Sequence, residues 1–122
     1  MTLQGCVLFF SLMHNVDPTV TNAVIAVESG GNPLSISRDK QDFGLLQIRK
    51  KFHKLTTAQL LQPCTNIELG VKILAAAKKR CKHRVDNLYL VCYNAGVAGG
   101  SRLKYPRRFP YYKKVIAAMR RG

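Results

Sequence analysis

Hydrophobic residues recur along this chain at spacings of three and four, which is the period of an amphipathic helix. Val20 and Val24 lie on one such stripe. The stripe follows Asp17, a typical N-cap residue, and Pro18, which is favoured in the first turn of a helix. It stops at Gly30, a typical helix terminator. The pattern therefore predicts a helix from Asp17 to Gly30.

Five more segments are predicted to be helices, the first from its apolar character and the other four from their start or stop signals. They are an apolar first helix over residues 6–13, a short helix from Thr57 to Leu61 ended by Pro63, a long helix capped by Asn66 and reaching about Arg80, a helix capped by Asp86 and ended by Gly96, and a last helix opened by Pro110. The chain is thus predicted to be mainly helical.

The stretches between these helices lack a regular period. Residues 30–43 are rich in turn formers and polar side chains, which predicts a long ordered loop. The apolar run Gly44–Ile48 and the basic segment after it favour a helical turn. No alternating strand pattern, internal repeat or linker interrupts the 122 residues. We therefore expect an all-α fold in one domain spanning residues 1–122.

Composition supports a folded core and adds a strong positive charge. Hydrophobic residues make up 47% of the chain, and 20 Lys and Arg face only 6 Asp and Glu, for a net charge of +14. Such a field attracts nucleic acid, anionic lipid or the carboxylates of cell-wall peptides. No apolar run is long enough to span a membrane. No cation precedes the apolar segment 6–13 and no clear cleavage site follows it, which favours a core helix over a signal peptide.

Glu28 is the candidate catalytic residue. It continues the stripe of Val20 and Val24 by one more helical step, so its carboxyl falls at the edge of the buried face. Burial disfavours the ionised form and raises the pKa of a carboxyl, as a general acid near neutral pH requires. The alternative interpretation is an ordinary exposed glutamate.

Three sequence blocks, in this order, resemble the signature of the soluble lytic transglycosylases. They are Glu28-Ser29-Gly30-Gly31-Asn32-Pro33 with Ser37 nine residues after the glutamate, Gly44-Leu45-Leu46-Gln47-Ile48, and Tyr93-Asn94-Ala95-Gly96. The resemblance covers roughly residues 17–116 and implies a lysozyme-like fold of the goose type. Residues 62–70 further resemble the branch that accompanies conjugation, type III and type IV secretion and some phage particles.

The resemblance implies a peptidoglycan lytic transglycosylase with one catalytic acid, Glu28, and neither metal nor cofactor. Such an enzyme cleaves the bond between N-acetylmuramic acid and N-acetylglucosamine and leaves a 1,6-anhydromuramyl end. Ser37 and Tyr93 would orient the carboxyl or the sugar, and Gln47 and Asn94 would bind acetamido and hydroxyl groups. Since the chain has no Trp, stacking on sugar falls to tyrosines. Tyr111 is the further substrate contact that we expect.

Other interpretations stay open at this point. Asp39 and Asp42 follow Glu28 in the loop, and either is a candidate base for a lysozyme-type muramidase on the same fold. The charge also fits a small basic helical DNA-binding protein, although nothing in that function needs an acid at the end of an apolar stripe. A structural component with an inactive site is the third alternative.

The four cysteines indicate in which cellular compartment the protein acts. Cys64, Cys81 and Cys92 occupy positions where the secretion-associated branch often has cysteines, which implies an oxidising cell envelope, the periplasm, or a virion-associated protein. The expected partners are peptidoglycan strands together with secretion, conjugation or virion components, and nucleic acid is not among them. For disulfides we expect Cys6–Cys81 with Cys64–Cys92, because a helix over 66–80 would hold Cys64 and Cys81 about 25 Å apart. Free buried thiols are the alternative.

Overall fold

A computed structural model describes all of residues 1–122. Its helices are α1 (Leu3–Met13), α2 (Pro18–Ser29), α3 (Thr57–Leu60), α4 (Pro63–Arg80), α5 (Leu90–Ala95), α6 (Val97–Ser101) and α7 (Pro110–Arg121). A small antiparallel hairpin joins β1 (Asp42–Phe43) to β2 (Ile48–Arg49), and single 3-10 turns occupy Lys50–Phe52, Val85–Asn87 and Pro106–Arg108. The expected all-α fold class is confirmed.

Helix α2 forms where its capping signals predict it. The side chain of Asp17 accepts a hydrogen bond from the amide of Thr19 at 2.9 Å, and Pro18 occupies the first turn. Gly30 ends the helix in the left-handed conformation, with φ of 63°. The buried face, which includes Val20 and Val24, packs along α7. The helix is therefore held at both ends and along one side, which fixes its last turn.

A single hydrophobic core contains side chains from the first five helices, the hairpin and α7. The apolar segment that opens the chain forms α1, a helix that buries Cys6, Val7 and Ser11 against its neighbours α4 and α2. No helix has both the length and the apolar character needed to cross a membrane.

Two predicted caps are displaced along the chain. Thr56, rather than Thr57, caps α3, and it exchanges hydrogen bonds with Gln59 in a capping box. Helix α4 begins at Pro63, with Gln62 as its cap, so the expected start at Asn66 is wrong. Proline lacks an amide hydrogen and is favoured in a first turn, so Pro63 opens α4 as well as ending α3.

Asn66 instead lies inside α4 as a fully buried linker to the hairpin. Its Nδ2 donates to the carbonyls of Phe43 and Leu60, at 2.8 Å each, and its Oδ1 accepts from the amide of Leu46 at 2.8 Å. Gly44 must approach this side chain closely, since a Cβ there would collide with Asn66 and with the carbonyl of Leu60. These contacts fix the hairpin loop against α4.

The hairpin replaces part of the expected helical turn. Gly44–Gln47 form the loop between β1 and β2, and a helical turn appears only afterwards, as the 3-10 turn Lys50–Phe52. Strands of two residues are too short to show an alternating pattern in sequence.

Asp86 is not the cap of α5. It lies in a 3-10 turn with φ of 53°, and its carboxylate pairs with Arg107 at 2.6 Å, while its carbonyl accepts a hydrogen bond from the Tyr112 hydroxyl at 2.7 Å. The predicted cap is wrong because Asp86 connects α7 to this turn and α5 starts later, at Leu90.

All four cysteines are in disulfides, but in a different pairing from the expected one. Cys6 bonds to Cys64 and Cys81 bonds to Cys92, with Cα–Cα distances of 5.6 and 5.8 Å. Helix α1 lies beside α4, so Cys6 meets Cys64 in the first turn of α4. Cys81, which caps the other end of α4, meets α5. The expected pairing and the free-thiol alternative are both wrong.

Candidate active site

The end of α2, the hairpin, α4 and α5 enclose a cleft of about 540 Å³. Four of the six site residues predicted from sequence line it, namely Glu28, Gln47, Tyr93 and Asn94. The rest of the lining consists of Asp42, Leu46, Ile48, Arg49, Phe52, His53 and Ile73. Three blocks that are far apart in sequence thus meet at one concave surface of mixed polar and apolar character, as in a typical ligand-binding site.

Glu28 lies in the last turn of α2 and is partly buried. Burial raises the pKa of its carboxyl from the ordinary 4.5 to about 7, a hydrogen bond from Tyr111 acts in the opposite direction, and the negative charge of Asp42 raises the pKa further. Near neutral pH, therefore, a large fraction of Glu28 carries a proton. It can both give up and recover a proton in that range.

Tyr111 contacts Glu28 directly. Its hydroxyl donates to Glu28 Oε2 at 3.1 Å, across 83 positions of sequence. Tyr111 is the second residue of α7, just after Pro110, and does not itself line the cleft. The structure therefore places it behind the carboxyl, where it orients one oxygen.

Tyr93 lies beside Tyr111, with ring centroids 6.3 Å apart and the ring planes tilted by 31°. Burial, together with the nearby Glu28 carboxylate, raises the pKa of both phenols. Both tyrosines consequently remain protonated and able to donate hydrogen bonds throughout the neutral range.

Gln47 and Asn94 both line the cleft, the first from the hairpin loop and the second from α5. Gln47 adopts a left-handed backbone with φ of 50°, and its Nε2 donates to the carbonyls of Ser35 and Gly44 at 3.1 and 3.0 Å. These two bonds fix the orientation of the side-chain amide, and its Oε1 can accept a hydrogen bond from a ligand in the cleft. Asn94 is exposed.

Ser37 does not line the cleft. Its hydroxyl donates to Asp39 Oδ1 at 2.6 Å and accepts from the amide of Asp42 at 3.0 Å. The structure thus does not bring Ser37 to Glu28. In this structure it shapes the loop that leads into β1.

Asp42 and Arg49 form an ion pair in the cleft that the sequence did not reveal. Arg49 Nε and Nη2 donate to the two Asp42 carboxylate oxygens at 2.9 and 3.1 Å, and Nη2 also reaches Asp39 Oδ2 at 3.3 Å. Asp39 is exposed and outside the cleft, so Asp42 is the one of the two candidate bases that faces the same space as Glu28. The pair forms because the hairpin register places Asp42 opposite Arg49, and this register is visible only in the structure.

Residues 6–113 match the family described as the transglycosylase SLT domain. The chain belongs to the SLT transglycosylase domain family. This match includes every residue of the cleft and confirms the family inferred from the three sequence blocks.

A curated relative is consistent with the same family. The SLT domain is 35% identical over 72 residues to the endo-type membrane-bound lytic murein transglycosylase A of Salmonella paratyphi B (strain ATCC BAA-1250 / SPB7). The match covers 49% of this chain and 35% of the relative. The chain thus spans about a third of the length of the curated relative that it matches.

Three further residues of the SLT domain's cleft, Phe52, His53 and Ile73, were not predicted from the sequence. Phe52, which ends the basic 3-10 turn, is 70% exposed, His53 follows it, and Ile73 belongs to α4. The sequence holds no clear signal for these residues, because a single apolar side chain in a basic segment is common on protein surfaces.

Proposed function

We propose that this SLT domain is a peptidoglycan lytic transglycosylase in which Glu28 is the single catalytic acid and base. The observation that supports this most directly is the Glu28 carboxyl itself, which faces the cleft with its pKa raised to about 7 and with one oxygen bound by Tyr111. A carboxyl of ordinary pKa would be almost wholly ionised at neutral pH and would be a poor general acid.

In the proposed reaction the Glu28 carboxyl acts twice, first as an acid that donates its proton and then as a base that accepts one. In the first step the protonated carboxyl donates to the glycosidic oxygen, the bond from that oxygen to C1 of N-acetylmuramic acid breaks, and N-acetylglucosamine leaves as an alcohol. The acetamido group of the substrate stabilises the oxocarbenium-like centre, so no second protein carboxylate is needed. Tyr111 then donates to the newly formed carboxylate.

The second step restores the acid. The Glu28 carboxylate takes the proton from the muramyl O6 hydroxyl as that oxygen bonds to C1, which closes the 1,6-anhydro ring. The enzyme returns to its protonated form, and water is not consumed. A pKa near 7 suits both the donation and the recovery of the proton.

A lysozyme-type muramidase is the second candidate, and the presence of Asp42 in the cleft favours it. A hydrolase of this kind uses a second carboxylate beside the acid, either as nucleophile or as base for water. Asp42 is partly buried and held by Arg49 through two hydrogen bonds. The two candidates differ in product, since hydrolysis leaves a reducing muramyl end and transglycosylation leaves an anhydro end.

The proposed substrate is the glycan strand of peptidoglycan, and the proposed place of action is the bacterial cell envelope. Both disulfides fit an oxidising compartment such as the periplasm. A role in local wall opening by a phage particle or by a secretion or conjugation machine, with components of that machine as partners, is part of the same proposal.

Digestion of purified murein by the wild type, Glu28→Gln and Glu68→Gln tests the proposal. Glu68 supplies a matched control, because it undergoes the same chemical change on the surface of α4, where it pairs with Lys72. We expect Glu28→Gln to lose activity by about 10²-fold or more, the usual contribution of a general acid, and Glu68→Gln to retain it. Equal digestion by wild type and Glu28→Gln would contradict the assignment.

Asp42→Asn separates the two candidates in the same assay. A transglycosylase without a second carboxylate keeps anhydro products in this variant, whereas a hydrolase that depends on Asp42 loses its reducing-end products.

A further inference from the structure

Three lysines gather at the open end of the hairpin, outside the catalytic cleft. The strand register pairs Asp42 with Arg49, and one residue further out the amide of Lys50 donates to the carbonyl of Gln41 at 3.0 Å. This register brings Lys40 and Lys51 to the same end. The three lysines Lys40, Lys50 and Lys51 are exposed and line a second depression of about 380 Å³ together with Gln41, Phe43 and His53.

No carboxylate lines this depression. The two nearest acids in sequence, Asp39 and Asp42, both pair with Arg49, and neither forms an ion pair with a lysine. With Arg49 included, four cations face two carboxylates at this end of the hairpin, so the local charge stays positive. Three like charges at one small surface repel one another, and an anion placed among them removes that repulsion. The depression is therefore electrostatically suited to an anionic group.

The depression adjoins the catalytic cleft. His53 lines both, and Phe52 extends the cleft wall on the same side. The two depressions therefore share a wall residue, and the lysines line the surface next to the cleft in which the sugar would bind.

Resting on the proposed function, we propose that the three lysines form a subsite for the carboxylates of the peptide stems carried by the glycan. The sugars that the cleft would hold are uncharged apart from their peptide substituents, so the stems are the anionic part of this substrate. The subsite makes the domain selective for strands with charged stems over strands of the same length with neutral stems.

Two matched substrates test this proposal. Both are soluble, uncross-linked glycan strands with N-acetylated stems, and in one of them the stem carboxylates are coupled to methylamine, which removes the charge and keeps the peptide. We expect the wild type to show a KM about three- to tenfold higher on the neutral strands, the effect of a few exposed ion pairs, with kcat little changed. Raising the salt concentration should reduce the difference.

A double variant locates the effect. Lys50→Gln/Lys51→Gln leaves only Lys40 in the subsite, so it should raise KM on the charged strands most of the way to the value on the neutral strands and leave the latter unchanged. Lys79→Gln/Lys82→Gln removes the same charge from exposed positions at the end of α4 and should behave as wild type. Equal KM of the wild type on both substrates, or the same rise in both double variants, would overturn the subsite.

Binding without cleavage keeps this test separate from that of the proposed function. The Kd of Glu28→Gln for the two kinds of strand should differ in the same ratio as the KM values. If the wild type cleaves neither substrate but this Kd ratio holds, the proposed function fails and the subsite stands. If the wild type cleaves both equally well and the Kd values agree, the subsite fails and the function stands.

Discussion

Replacing Glu28 by glutamine should stabilise the protein, and by an amount that depends on pH. In the folded protein, burial of the Glu28 carboxyl raises its pKa from 4.5 to about 7. Between these values the folded state binds a proton that the unfolded state has lost, so the free energy of unfolding falls as pH rises. Glutamine has nearly the same shape, never ionises, and keeps an oxygen that can accept from Tyr111.

The magnitude follows from the width of that interval. Each pH unit between the two pKa values is worth about 1.4 kcal/mol, which gives about 3 kcal/mol for Glu28, reduced to about 2–3 kcal/mol because the side chain is only partly buried. Glu28→Gln should therefore match the wild type near pH 4 and exceed its stability by about 2–3 kcal/mol above pH 7.5. For a chain of 122 residues that is about 6–12 °C in Tm.

Urea and thermal unfolding from pH 4 to pH 8.5, with the disulfides kept oxidised, measure this difference. Glu68→Gln is again the control, because its exposed carboxyl pairs only with Lys72. A difference between wild type and Glu28→Gln that is constant with pH, or a wild type that is the more stable protein at pH 8, would show that burial does not raise the pKa of Glu28.

Three further changes test other parts of the structure. Tyr111→Phe removes the hydrogen bond that lowers the pKa of Glu28, so the fall of kcat/KM at high pH should move to a higher pH; an unchanged profile would contradict the contact. Asn66→Ala removes the side-chain partner of three buried backbone groups and should cost about 3–5 kcal/mol in urea unfolding, whereas a loss below about 1 kcal/mol would contradict its linking role. Replacing both cysteines of Cys6–Cys64 by serine should cost about 4 kcal/mol and the same change at Cys81–Cys92 about 3 kcal/mol, because the first bridge closes the longer loop; the opposite order would contradict this.

The part of the site that sequence could predict depends on local signals. Asp17, Pro18 and Gly30 act within a few residues of themselves, so the bounds of α2 could be read directly, and with them the position of Glu28 at the edge of a buried stripe. The segments that carry Gln47 and Tyr93 were found by resemblance, and the structure brings both residues to the cleft.

The parts that sequence could not predict depend on contacts between distant residues. Asn66 looks like a helix cap in sequence, and only its bonds to Phe43, Leu60 and Leu46 show that it holds the hairpin loop. Nothing local indicates that Tyr111 meets Glu28, 83 positions away.

The disulfide pairing was predicted wrongly and the hairpin was not predicted, and the reasons are related. The pairing of Cys6 depends on how α1 lies against α4, which hydrophobic periodicity does not specify. The pairing of Asp42 with Arg49 depends on a hairpin whose two-residue strands leave no alternation to detect. As a result, the charged side of the cleft emerged only from the structure.

If Glu28 closes an anhydro ring, cleavage of the glycan consumes no water. The most direct test is digestion of purified murein by the wild type in water labelled with heavy oxygen, followed by mass spectrometry of the released muramyl ends. We expect new 1,6-anhydromuramyl ends that carry no label and are lighter than reducing ends by one water. New reducing muramyl ends in place of anhydro ends would contradict this and would identify the reaction as hydrolysis, whether or not they carry label, because the anomeric oxygen of a reducing end exchanges with water.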